Sequence, residues 1–229
     1  MISGEYYQTK CRETGYSDEL KQCIENACEY CIDNMQSTVS GNPYYKGEHP
    51  LMLLGEIQSG KTRAFTGLMA LAFDNGFDYI FILTKNNKAL VEQTYKRMRK
   101  EFKTFIDQDK VDVNDIMKLQ DELTPYELDK KLIIIAKKQK DNLHRISSFI
   151  RYTMINGEKN CLIIDDEADT ASIGYEKIKD SMEDFNLRTV AAEVDKIRGS
   201  LDGCVFVQVT ATPYALYLQP DFEGMGISL

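Results

Sequence analysis

The residues best suited to chemistry form the segment GEIQSGKT at positions 55–62, named the phosphate loop below. Its spacing fits the pattern G-x-x-x-x-G-K-[ST], in which glycines let the backbone wrap so that its N–H groups point at phosphate oxygens. The candidate nucleotide-binding residues are Gly55, Gln58, Ser59, Gly60, Lys61 and Thr62. In this pattern Lys61 reaches the outer phosphates and the Thr62 hydroxyl ligates magnesium, so the loop predicts a nucleotide site.

An acidic cluster, DDEAD at positions 165–169, ends the apolar run that begins at Cys161. In a protein with a phosphate loop, an acidic residue at the tip of an apolar strand can hold magnesium, and a glutamate beside it can polarise the attacking water. Carboxylates at this place can also simply satisfy the N-terminus of a helix. The phosphate loop favours the catalytic interpretation.

Two hydroxyl groups flank Ala211 where another apolar run ends, in the sequence Thr210-Ala211-Thr212-Pro213. Such hydroxyls can hydrogen-bond a neighbouring acid and respond to the state of bound phosphates. Taken alone, the segment would favour a simple turn started by Pro213.

Five short apolar runs, each predicted to be a strand, position these candidates: 51–54, 79–83, 132–136, 161–165 and 204–209. Helical patterns separate them, over 64–73, 88–104, 141–155 and 186–199. Alternating helices and almost continuously apolar strands are typical of a parallel sheet covered on both faces. Ligands bind such sheets at the carboxyl ends of the strands, where all three candidate segments lie. The predicted fold is therefore α/β, with at least five parallel strands.

The remaining segments are less regular. The polar residues 1–16 are predicted to be a lead-in arm, and 17–36 an amphipathic helix capped by Ser17. Residues 107–131 are acidic and poorly patterned, which predicts short helices. The tail from residue 214 is broken by proline and glycine and is predicted to be a linker.

Composition is that of an ordinary soluble globular protein, with 43% hydrophobic and 28% charged residues. No apolar run approaches a membrane span and no signal peptide is present, so we expect a cytoplasmic protein without membrane association. Its six cysteines are then expected to be reduced. Cys23, Cys28 and Cys31 have loose metal-site spacing, but a helical stripe through Cys23 and Cys31 favours core packing over a zinc or iron–sulfur site.

One predicted helix is rich in basic residues: Lys88, Lys96, Arg97, Arg99, Lys100 and Lys103. The net charge of −8 argues against nucleic-acid binding by the whole surface. The helix predicts either a solvated face or, together with Thr84, a track along a nucleic-acid backbone.

Together the motifs resemble those of superfamily-two helicases and translocases. DEAD at 166–169 spells the DEAD-box sequence, and TAT at 210–212 looks like their Ser-Ala-Thr motif. The segment at 84–93 is similar to their motif that grips a nucleic-acid backbone. A closer resemblance, covering about residues 50–217, is to the Z-one domain family, whose members are labelled endonucleases and occur with bacterial restriction and defence systems. It rests on the phosphate loop, IDDEADTAS at 164–172 and TATP at 210–213. Lys137-Lys138 with Asn142-Leu143 also looks like that family's third-strand segment.

The resemblance implies a RecA-like P-loop NTPase lobe at 50–217, preceded by an arm and helix at 1–49. A linker at 218–229 would then lead toward a second lobe. It also implies roles: Lys61 holds phosphate, Thr62 and Asp166 hold magnesium, Glu167 activates water, and Asp169 couples to Thr210 and Thr212. Two features depart from the pattern. The adenine-reading glutamine has only Gln36 as a candidate, and no second lobe follows within these 229 residues. The endonuclease label also finds no support, since these residues contain no nuclease constellation.

The sequence thus predicts an ATP-binding and hydrolysing lobe of a helicase-like nucleic-acid translocase, or of a restriction or anti-phage defence ATPase. Its expected cofactors are ATP and magnesium, and we expect slow turnover in the isolated lobe. Expected partners are DNA, bound weakly by this lobe alone, a second lobe in cis, and nuclease or other defence subunits. Two alternatives stay open: a non-hydrolysing, nucleotide-gated module that scaffolds a partner nuclease, and a small-molecule P-loop kinase.

Overall fold

The structure, a computed structural model, describes residues 1–39, 51–54, 61–120, 123–157, 159–166, 190, 192–194, 197, 204–210 and 226–228. The helices of this part are α1 (Glu5–Thr14), α2 (Asp18–Val39), α3 (Lys61–Asp74), α4 (Lys88–Glu101), α5 (Lys103–Asp107), α6 (Pro125–Leu128) and α7 (Lys140–Gly157). The strands are β1 (Leu51–Leu54), β2 (Tyr79–Thr84), β3 (Val111–Asp115), β4 (Lys131–Lys137), β5 (Cys161–Asp166), β6 (Cys204–Thr210) and β7 (Gly226–Ser228).

These strands form one seven-stranded sheet in the order β3-β4-β2-β5-β6-β1-β7, and every neighbouring pair is parallel. The central strands are buried almost throughout, because helices cover both faces of the sheet. The predicted α/β fold with a parallel sheet is confirmed, and each of the five predicted strands is present.

Alternation along the strands divides the core into two clusters on opposite faces of the sheet. On the first, named face A, side chains of α1 to α5 pack over β2 residues Ile80 and Ile82. On the second, face B, α7 packs over Tyr79 and Phe81 together with buried, helical residues of the segment 190–197. Each buried Leu, Ile or Phe stabilises the fold by about 1.5–3 kcal/mol. The connection from β1 to β2 through α3 and the connection that leaves β2 through α4 therefore both lie on face A. This arrangement positions the candidate site.

The prediction for residues 107–131 was wrong in part. Val111–Asp115 is the edge strand β3, and Pro125–Leu128 is a short helix. Because an edge strand here is buried on one face only, Val111 and Val113 alternate with half-buried polar residues instead of forming an apolar run. Within the predicted linker, Gly226–Ser228 pairs with β1 through its backbone, which needs no apolar pattern.

Residues 1–16 are not a lead-in arm, because Glu5–Thr14 forms α1 and packs on face A. The carboxylate of Asp74, at the end of α3, accepts three hydrogen bonds of 2.9–3.1 Å from the backbone N–H groups of Gly4, Tyr6 and Tyr7. These are the first-turn donors that no helical carbonyl can satisfy. A distant acidic side chain therefore fixes the start of α1.

Lys10 shows why the polar composition of residues 1–16 did not predict a packed helix. Its ammonium group, 2% exposed, donates to the Glu101 carboxylate at 2.7 Å and to the Glu101 backbone carbonyl at 3.0 Å. It thereby links α1 to the end of α4. The predicted helix at 17–36 is confirmed as α2, and the Ser17 hydroxyl accepts from the Leu20 N–H at 3.3 Å. Among the helices that the structure describes, none has the length and apolar character needed to cross a membrane.

Candidate nucleotide-binding site

The carboxyl ends of β1, β6 and β5 lie side by side. In the sheet register, Leu54 of β1 is level with Thr210 of β6. Val209, one residue earlier in β6, is level with Asp166 of β5. The chain therefore leaves these three adjacent strands at the carboxyl-terminal edge of the sheet. The phosphate loop, the acidic cluster and the Thr-Ala-Thr segment begin at that edge, which brings together motifs that are far apart in the sequence.

Asp166 lies on the sheet face that also carries the helix after the phosphate loop. Its register partner Val209 and the next residue across, Leu53, both belong to the face A core. Because α3 covers face A, Asp166 and the first turn of α3 share one side of the sheet edge. Its neighbour Asp165 belongs to face B by the alternation of the strand.

The first turn of α3 presents a hydroxyl group at this edge. The helix begins at Lys61, and its N-terminal N–H groups favour an anion there. The Thr62 hydroxyl oxygen accepts a hydrogen bond of 3.1 Å from Nη1 of Arg97 in α4. The backbone carbonyl of Thr62 accepts from the Thr66 hydroxyl at 2.8 Å. Thr62 is therefore anchored from both its backbone and its side chain.

The residues present fit a magnesium ion better than a transition metal. Thr62 and Asp166 offer hard oxygen atoms on the same face of the sheet, the kind of ligand that magnesium prefers. In the described ranges, no three His, Cys, Asp or Glu side chains lie close enough together to hold a metal ion. Magnesium does not need such a cage, because it usually takes one or two protein oxygens and completes its shell with water and substrate phosphates.

Several predicted site residues lie outside the described residues: Gly55, Gln58, Ser59, Gly60, Glu167, Asp169 and Thr212. For Lys61, only the helical backbone is described. The roles predicted for these residues stay predictions. Thr210 is described, and its side chain is buried at the end of β6.

A buried ion pair that we did not predict from the sequence includes the first residue of the acidic cluster. The Lys138 ammonium lies 2.7 Å from the Asp165 carboxylate, and both side chains are 0% exposed. The pair lies on face B, since Asp165 is level with Leu83 and Lys138 comes two residues after Ala136. Two sequence features could have indicated this pair. Asp165 lies inside an apolar run, and Lys138 follows the end of β4, which β2 separates from β5 in the sheet.

The predicted nucleic-acid track is not formed as one surface. Thr84 is buried, and its hydroxyl donates to the backbone carbonyl of Lys85 at 3.3 Å. Arg97 turns toward Thr62 instead of solvent. The exposed basic residues that α4 and α5 retain are Lys88, Lys96, Arg99, Lys100 and Lys103.

The cysteines of α2 follow the packing interpretation. Cys28 and Cys31 are fully buried in the face A core, while Cys23 is half-buried. Burial raises the pKa of the Cys28 thiol to about 12 and raises the pKa of Cys31 well above its ordinary value. Their burial among apolar side chains of face A supports the interpretation of Cys28 and Cys31 as core residues.

Comparison with known families gives one match over most of the chain. The family profile described as "Type III restriction enzyme, res subunit" matches residues 17–215. A search of curated proteins finds no sequence that matches.

Several solved structures are similar at low identity. The DUF1998 helicase MrfA has 15% identity and a TM-score of 0.48, covering 91% of this chain and 29% of that one. A chain of the E. coli MS115-1 HORMA:CdnC:Trip13 complex has 13% identity and a TM-score of 0.43, covering 93% and 67%. A DnaB-like replicative helicase has 14% identity and a TM-score of 0.39, covering 77% and 42%. This chain therefore spans less than a third of the MrfA chain, and likenesses this weak assign no activity.

Proposed function

This chain belongs to the family described as the res subunit of type III restriction enzymes, and we propose that it is the ATP-binding and hydrolysing lobe of a helicase-like nucleic-acid translocase. The observation that best supports this proposal is the register of β1, β6 and β5. It sets the starts of the phosphate loop, the Thr-Ala-Thr segment and the acidic motif side by side at one sheet edge. A role in restriction or anti-phage defence, and closer kinship with the Z-one domain family, are parts of the same proposal.

In the proposed complex, the backbone N–H groups of the phosphate loop and the N-terminus of α3 hold the phosphates of ATP. Lys61 adds a positive charge at the outer phosphates. Thr62 and Asp166 hold magnesium, which when bound neutralises charge on the transferred group. Their placement on face A, toward the same side of the sheet edge, supports this assignment.

Glu167 follows the last residue of β5 and is proposed to orient the attacking water. The water oxygen forms a bond to the γ-phosphorus as the bond from that phosphorus to the β–γ bridging oxygen breaks. The electron pair of the broken bond leaves with ADP, and a proton of the water passes to Glu167 before it reaches solvent. Asp169 is proposed to couple this step to Thr210 and Thr212 on the adjacent strand.

DNA is the proposed macromolecular partner, bound weakly by this lobe alone because the chain carries a net charge of −8. The exposed basic residues of α4 and α5 supply the proposed contacts. A second lobe in cis is proposed to provide an arginine opposite the phosphate loop, and nuclease or other defence subunits to act with it. Without that arginine, phosphoryl transfer is slower by roughly a thousandfold or more.

The test compares the 229-residue chain with Glu167→Gln and, as a matched control, Glu19→Gln in the first turn of α2. Binding of magnesium ATP is measured by calorimetry and phosphate release by radiolabelled ATP. We expect all three proteins to bind ATP alike and the isolated chain to turn over slowly. In the full-length protein Glu167→Gln should abolish turnover. Brisk hydrolysis by the isolated chain, lost in Glu167→Gln, would contradict the need for an arginine from a second lobe.

A further inference from the structure

We propose that Arg97 is a nucleotide-binding residue, whose guanidinium group contacts the outermost phosphate of ATP. This inference rests on the proposed function, since it adds a residue to the same site. The sequence pattern placed Arg97 in a basic helix and suggested solvent or nucleic acid as its partner. The structure gives its side chain a different direction.

The first observation is the reach of Arg97 from one helix to another. Its Nη1 atom donates a hydrogen bond of 3.1 Å to the hydroxyl oxygen of Thr62. The helices α4 and α3 both cover face A, so the side chain crosses from the third turn of α4 to the first turn of α3. Thr62 is the hydroxyl proposed to ligate magnesium, so a nucleotide held there with magnesium would bring phosphate oxygens close to the Arg97 guanidinium.

The second observation is the charge around the Arg97 guanidinium. Within the described part of the chain, Arg97 forms no ion pair with a carboxylate, and its hydrogen-bond partner is the neutral Thr62 hydroxyl. The N-terminus of α3 is itself electropositive. A half-buried guanidinium beside it is therefore repelled unless an anion completes the arrangement. The outer phosphates of ATP are the anion that the phosphate loop would bring there.

The geometry of the guanidinium group allows both contacts at once. Arginine has five N–H donors in a rigid planar fork, and the bond to Thr62 uses one of them. The remaining donors can hold phosphate oxygens while Thr62 keeps the group in position. A lysine at this place would provide one ammonium group, which cannot bridge a hydroxyl and a phosphate with the same planar geometry.

Arg12 in α1 has a different environment and provides a matched control. Its side chain is exposed, and Nη2 donates to the Thr9 hydroxyl at 3.0 Å, within α1 itself. Truncating Arg12 removes the same charge from another helix of face A without touching Thr62. A general effect of helix charge on nucleotide binding would therefore appear in both arginine variants, whereas a specific contact would appear in Arg97 alone.

In the experiment, magnesium ATP and magnesium ADP are titrated into the 229-residue chain by calorimetry. The proteins compared are wild type, Arg97→Ala, Arg97→Lys, Arg12→Ala and Lys61→Ala. We expect Arg97→Ala to weaken ATP binding about tenfold and ADP binding at most about threefold, because the charge-assisted contact is to the outermost phosphate. Arg97→Lys should lose part of the affinity, and Arg12→Ala should bind ATP like wild type.

Thermal melting shows whether each variant is folded, and Arg97→Lys keeps the test valid if Arg97→Ala does not fold. Unchanged ATP affinity in folded Arg97 variants, or equal losses for ATP and ADP, would overturn the inference while leaving the site itself in place. Absence of ATP binding in wild type, or an effect of Arg97→Ala without any effect of Lys61→Ala, would instead overturn the proposed function.

Discussion

Removing the lysine from the buried Lys138–Asp165 pair should destabilise the fold strongly. The pair joins the segment after β4 to the end of β5, and both side chains are inaccessible to water at a separation of 2.7 Å. The substitution Lys138→Met keeps a similar chain length but leaves the Asp165 carboxylate buried without its cation. Removing one partner of such a buried pair costs about 3–5 kcal/mol.

The corresponding shift in melting temperature follows from the size of the chain. Unfolding entropy of about 2.1 cal/mol/K per residue gives roughly 0.5 kcal/mol/K for 229 residues. A loss of 3–5 kcal/mol therefore lowers the melting temperature by about 6–10 °C. Because Asp165 immediately precedes Asp166, the same loss should also weaken magnesium-dependent ATP binding near the lowered melting temperature.

The assay is circular dichroism melting of a double-mutant cycle. Lys138→Met and Asp165→Leu should each be destabilised, and the double variant should recover most of the loss, because a well-packed apolar pair often replaces a buried ion pair without cost. Lys96→Met is the matched control, since Lys96 forms an exposed pair with Glu92 at 3.3 Å. Its expected loss is below about 1 kcal/mol.

Two outcomes would refute this reasoning. The first is a Lys138→Met melting temperature as close to wild type as that of Lys96→Met. The second is a double variant whose loss equals the sum of the two single losses, which would mean that the two charges do not stabilise each other in the core.

Two further predictions concern the N-terminal helix and the basic surface. Asp74→Ala should lower the free energy of unfolding by about 1–3 kcal/mol in urea, because it leaves the N–H groups of Gly4, Tyr6 and Tyr7 without their acceptor. A loss no larger than that of the exposed control Asp107→Ala would contradict the capping role. Reversing the charges of Lys96, Arg99 and Lys100 should weaken DNA binding and lower its dependence on salt, by a log–log slope of about 0.9 for each phosphate that is no longer neutralised. Unchanged binding would show that the helix is only a solvated face.

The sequence predicted those parts of the fold that repeat a simple pattern. Continuous apolar runs marked β1, β2, β4, β5 and β6, since central parallel strands are buried on both faces. The edge strands β3 and β7 were missed because neither forms a continuous apolar run. The first is buried on one face only, and the second is three residues long and joins through its backbone.

Long-range polar contacts were beyond the reach of pattern analysis. The helix α1 appeared to be a polar arm because Lys10, one of its charges, is buried against Glu101, far away in the sequence. Likewise, Arg97 is one of several basic residues along α4, and its hydrogen bond to Thr62 depends on the packing of α4 beside α3. A charge on a helix does not by itself indicate which partner the fold will bring to it.

The most direct test of the proposed site is calorimetric titration of magnesium ATP into the wild-type chain and Lys61→Ala. The substitution removes the side-chain charge that is proposed to lie at the outer phosphates, and Lys118→Ala, at an exposed turn, serves as the control. We expect wild type and Lys118→Ala to bind alike, and Lys61→Ala to bind at least about tenfold more weakly, a change of about 1.4 kcal/mol. Equal affinities for wild type and Lys61→Ala would contradict the assignment of this strand edge as the nucleotide site.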